Sequence, residues 1–199
     1  MDKLVVTAAS LVTEAEVPGA RLGKRFGRMD LMSQLAVLAV ESLGINFEAQ
    51  RRDRVGICLE ARAGSLATDM DYWNGRNQPG GPSPTLFAYT LPSAAIGEIA
   101  IRHRLTGPNL CFVGEQTGLL AEAVQWVRHG EVEACLCVEC NVVTSAVAGI
   151  IRAPPAARAC ALFVQRSRAG LHELGENDRD IEPLCAVLCR PNSSALNLS

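Results

Sequence analysis

The chain has 199 residues, 48% of them apolar, with a formal net charge of −2 at pH 7. That length and apolar content support one sizeable buried core. Scattered Lys and Arg in a slightly acidic balance exclude a nucleic-acid footprint and a polybasic membrane patch. The opening MDKLVVTAASLVTEAE breaks its apolar run at Glu14 and Glu16, too early for a signal-peptide core or a spanning helix, so a cytoplasmic protein is expected. Residues 4–8 predict a strand, and 14–28 a loop rich in Gly and charge. Asp30 stands where it can cap a helix through about residue 43, LMSQLAVLAVESL, which Gly44 ends. Residues 54–60 predict a short buried strand, and GRNQPGGPSP (75–84) a loop. Pro92 suits the first turn of a helix through about residue 105, supported by Glu98 and Arg102 as an i, i+4 pair. A strand over 110–113 precedes a helix over 116–129, where Leu119, Leu120, Ala123, Val124 and Val127 recur at the helical period and Gly130 ends the run. The runs at 134–138, 159–165 and 183–189 read as strands buried under helices on both faces. The pattern is an α/β layered domain over residues 1–190, with 191–199 as a flexible tail.

Eight cysteines could suggest a disulfide framework, but without a secretory signal they are expected to stay reduced, and all lie in apolar runs where free cysteine behaves as a small hydrophobe. Cys135, Cys137 and Cys140 lie close enough together to raise a metal site. Strand alternation, however, puts Cys135 and Cys137 on one face and Cys140 on the other, with no fourth ligand near, which favours core packing. No metal or cofactor is expected.

The run GPNLCFVGEQTGLLAEAVQWVRHG (107–130) resembles the stretch of β-ketoacyl synthases that leads from a Gly-Pro through a buried strand to the acyl-accepting cysteine at the mouth of the next helix. Aligned on Gly107-Pro108, on 110–113 and on 119–127, the family's Thr-Ala-Cys falls on Gly114, Glu115 and Gln116. MDLMSQLAVLAVESLG, RVGICLEARAGSL, SPTLFAYTLPSAAIGEIAIRHRLTGPN and ARACALFVQRSRAG are similar to further segments of the same family, collinear from about residue 4 to 170. The resemblance implies a thiolase-like αβα fold, N-terminal half only, with a mixed five-stranded sheet. The family's second half, with its two catalytic histidines and lysine, would have to begin near Ile181. His103, His129 and His172 match none of those positions, and the stretch between 141 and 159 is shorter than the family's.

A helix N-terminus lowers the pKa of a cysteine and so activates it. A glutamine amide there cannot carry a thioester. Cys111, five residues earlier in an apolar strand, is expected to be an inert thiol. Glu-Gln followed by a small-residue helix start resembles the chain length factors of type II polyketide synthases and, given the length, the truncated ones of aryl polyene pathways. The resemblance therefore implies a non-catalytic subunit that joins a full-length ketosynthase, meets acyl carrier protein through that complex, and serves polyketide or fatty-acid-like elongation. Its interface would comprise Leu110, Cys111, Phe112, Val113, Glu115 and Gln116; its tunnel-gating residues would be Leu91, Ser93, Ala94 and Ile96. Two alternatives stand beside it. Glutamine at this position also marks decarboxylating ketosynthase-like priming proteins, though that reaction needs the histidine donors to stabilise an enolate. The chain could also be a stand-alone scaffold for an acyl carrier protein.

Overall fold

The structure, a computed structural model, describes residues 3–115, 118–175 and 178–189. Gln116 and the expected tail at 191–199 lie outside the described residues. The first helix forms as the sequence predicts: the Asp30 carboxylate accepts from the Ser33 backbone N–H at 3.0 Å, and α1 runs Leu31–Ser42. Apolar on most sides, it is buried: Leu35, Ala36, Val37, Ala39 and Val40 expose no surface.

Six strands form one mixed sheet: β1 (Lys3–Thr13), β2 (Val55–Ala61), β3 (Asn109–Val113), β4 (Ala134–Val143), β5 (Ala156–Ser167) and β6 (His172–Glu173), in the order β3-β2-β4-β5-β1-β6. The pairs β2–β3 and β2–β4 are parallel, whereas β4–β5, β1–β5 and β1–β6 are antiparallel. Alternation along each strand splits the core in two. Ile57, Leu59, Leu136, Val138, Ala161 and Phe163 face α1 and α4 (Ala94–His103). Cys58, Cys135, Cys137, Leu162 and Val164 face α5 (Leu119–His129) and α7 (Ile181–Leu188). The result is the expected αβα layering. Cys140 lies on the face opposite Cys135 and Cys137, its Sγ 3.3 Å from the Met32 carbonyl.

Three expectations are corrected. The sheet has six strands, not five, because His172 and Glu173 add a short edge beside β1. Residues 183–189 are not a strand: α7 starts after Asp180, tolerates Pro183 in its first turn where no N–H is required, and turns Ile181 and Cys185 together onto the sheet. Glu98 does not pair with Arg102. Glu98 is bound by Arg25, and Arg102 is paired with Glu41. The described residues also form three further α-helices, α2 (Leu66–Gly75), α3 (Pro84–Phe87) and α6 (Ser145–Ile151), and Ser83 caps α3 by accepting from the Leu86 N–H at 3.2 Å. Among the described residues no helix is long and apolar enough to cross a membrane.

Candidate functional site

Open α/β sheets place their sites beyond the carboxyl ends of the parallel strands. Here that end of β3, β2 and β4 opens into a cavity of about 470 Å³, walled by Glu60, Arg62, Glu115, Glu139, Asn141 and Arg158. Glu60 and Glu139 are register partners on adjacent parallel strands, and both also border a narrower space against Gly118 and Leu119 at the start of α5. Burial first, then the nearby Glu182 and Glu60 carboxylates, push the Glu139 carboxyl above its ordinary range, against the donors Asn141 and the Glu182 backbone N–H. Asn141 ties the floor together: its amide donates to Glu139 Oε1 at 2.9 Å, and its Oδ1 accepts from the Arg62 N–H at 3.0 Å. Two ion pairs close the sides, Arg62 with Glu115 and Arg158 with Glu182, the second at 2.6 Å. No cysteine or histidine lines this cavity among the described residues. Carboxylates, guanidiniums and an amide can order a polar ligand or a loop, but they supply no soft nucleophile.

The segment that runs through β3 toward this cavity is held by close packing at both ends. A Cβ on Gly107 would lie 2.2 Å from the Val55 carbonyl oxygen, so only glycine lets the chain enter β3 here. The Gly114 N–H then donates to the Ala61 carbonyl at 3.2 Å, with φ at 132°. The strand between them, β3, is an edge strand whose partner in the sheet is β2. Leu110 and Phe112 pack toward the α5 core, Cys111 packs toward the α1 core, and Val113 is 60% exposed. Burial raises the Cys111 thiol, as expected of an inert one.

Folding brings the expected gating segment to this edge. A Cβ on Gly64 would meet Pro92 Cγ at 3.1 Å and Val113 Cγ1 at 3.3 Å, so the start of the 91–96 segment and the end of β3 flank one glycine. Leu91 is 65% exposed, Ser93 is exposed and Ala94 is half-buried. Ile96 differs: at 3% exposure it packs inside the chain's own α1 core, since the helical turn that turns Ala94 outward turns Ile96 inward. Ile96 therefore faces the α1 core and not the surface on which Leu91 and Ser93 lie.

No family model and no curated protein matches the sequence. Solved structures match its fold. A chain of the complex of a ketosynthase with its chain length factor from Xenorhabdus doucetiae superposes with a TM-score of 0.62 at 19% identity, over 83% of this chain and 79% of that one. A β-ketoacyl synthase from Burkholderia phymatum STM815 superposes with a TM-score of 0.64 at 14% identity, over 83% and 59%. The ishigamide ketosynthase/chain length factor gives 0.60 at 16%, over 83% and 58%. The chain has the ketosynthase fold. It spans less than two thirds of the length of the last two relatives and more of the first.

Within the ketosynthase fold, the residues that carry chemistry differ in how visible they are in sequence. Glu115 is expected as a partner contact and is found paired to Arg62 within the chain. Glu60 and Glu139 carry no signal in the sequence, because each is an isolated acid in an apolar strand and only the parallel register sets them together. His103 is structural: its ring lies 4.5 Å from that of Phe47, and burial lowers its pKa. His129 ends α5, where a cation suits the helix dipole.

Proposed function

We propose that this chain is a non-catalytic chain length factor: it pairs with a full-length ketosynthase, leaves the chemistry to that partner, and helps to shape the acyl tunnel. The observation that carries the reading is the residue three positions ahead of α5 in the sequence. Where the family resemblance puts the acyl-accepting cysteine, the sequence has Gln116, and the cavity beside α5 is walled by Glu60 and Glu139. An amide forms no thioester. The open β3 edge, with exposed Val113, supports a partner-covered strand, since uncovered edges of this kind invite aggregation. Acyl carrier protein would reach this subunit through the complex.

The test is an assay with malonyl-loaded acyl carrier protein. The chain alone is expected to show neither condensation nor decarboxylation, and Gln116→Cys is expected to stay inactive, because restoring one member of a cooperating set does not restore the set. Turnover by the unmodified chain alone would contradict the reading and favour a decarboxylating priming protein.

A further inference from the structure

Glu98, on the inner side of α4, is only 6% exposed. Two other segments converge on its carboxylate. Arg25 donates from Nε to Oε2 at 2.5 Å and from Nη2 to Oε1 at 2.9 Å, while the Tyr89 hydroxyl donates to Oε1 at 3.0 Å. Arg25 comes from the loop ahead of α1 and Tyr89 from the α3–α4 connection, so one carboxylate joins three pieces of chain. Burial, and then the carboxylate beside it, push the Tyr89 phenol up to about 12, which keeps its hydroxyl a donor at neutral pH.

An ion pair between a buried carboxylate and a solvent-exposed guanidinium is a weak source of stability, because solvent screens the attraction that the carboxylate's desolvation must be set against. What a bidentate guanidinium and a phenol on one carboxylate do supply is fixed geometry. The segment so fixed is the one that shows apolar side chains to solvent: Phe87 and Leu91 are 60% and 65% exposed. Further bonds run the same way, from Thr90 Oγ1 to the Phe87 carbonyl at 2.8 Å and from Ser65 Oγ to the Thr90 carbonyl at 3.0 Å. We infer that Glu98, with Arg25 and Tyr89, is the positioning residue that presents residues 85–94 as a preformed surface to the partner synthase. The identity of that partner rests on the chain-length-factor reading; the clamp does not.

Backbone amide exchange on the full chain, read by mass spectrometry, tests the clamp without any partner. Tyr89→Phe removes one hydroxyl, and Glu98→Gln removes the charge. Each is expected to speed exchange across 85–94 by about tenfold, the change that loss of one charge-assisted hydrogen bond produces. Amides of β4 and β5 keep their wild-type rates. If Glu98→Gln fails to fold, Tyr89→Phe alone decides. Unchanged exchange over 85–94, or equal acceleration in β4 and β5, would overturn the inference. A second measurement addresses presentation: the Tyr89→Phe complex with a co-expressed ketosynthase should dissociate faster than the wild-type complex. An unchanged dissociation rate from a loosened segment would overturn the presenting role, whereas absence of any wild-type complex would count against the chain-length-factor reading instead.

Discussion

Glu60 and Glu139 stand side by side, in register on neighbouring parallel strands, where β2 and β4 open toward the start of α5. Burial first, then Glu182 from α7 and Glu60 from β2, raise the Glu139 pKa, with Arg158 of β5 already engaged by Glu182.

The sign of the pH dependence follows. A carboxyl whose folded pKa is raised binds its proton more tightly in the folded chain than in the unfolded one. Its contribution to stability is therefore present at low pH and is lost as pH rises through the folded value. Glu139→Gln should stabilise the chain at pH 7, and the gain should shrink as pH falls to 5. Urea unfolding of both proteins at the two pH values measures it; a constant or inverted difference would contradict the assignment.

Ala94 and Ile96 should behave oppositely when enlarged. Ile96→Trp overpacks the chain's own core and should cost about 1–3 kcal/mol or prevent folding. Ala94→Trp, at the surface beside Pro92, should leave the unfolding midpoint within experimental error and shorten the products made with the partner. Thermal melts of the two variants, followed by product analysis for the one that folds, separate the roles.

Gly107→Ala would place a methyl group against the Val55 carbonyl. Backbone must move to relieve that, so a loss of about 2–3 kcal/mol in unfolding free energy is expected. A neutral outcome would mean that the approach to β3 is looser than the geometry implies.

Six of the eight cysteines are buried, and Cys111 and Cys189 are partly exposed. A thiol reagent at mildly alkaline pH should modify those two first and the rest only on denaturation. Adding the partner synthase should protect Cys111 and leave Cys189 at its own rate.

The elements with long periods and clear punctuation could be read from sequence. Asp30 and Gly44 bracket α1, and the period through Leu119, Ala123 and Val127 marks α5. The 183–189 run misled because short apolar runs carry no decisive period, although Asp180 and Pro183 were signals for a helix start. The partners of Glu98 were unreadable for a different reason: a local i, i+4 pairing was available, but burial of the carboxylate let Arg25, 73 residues away, take it. The acidic pair at the site depends on strand register, which no single segment encodes.

The account stands on pairing with a synthase. Size-exclusion chromatography with light scattering on the chain co-expressed with a full-length ketosynthase tests that most directly. Val113→Asp serves as the control, because it alters the exposed end of β3 without touching the core that half-buried Phe112 helps to build. A stable heterodimer is predicted for the wild type, with Val113→Asp weakened at least about thirtyfold by a charge forced into a desolvated seam. A well-behaved monomer that ignores the co-expressed synthase would contradict the account.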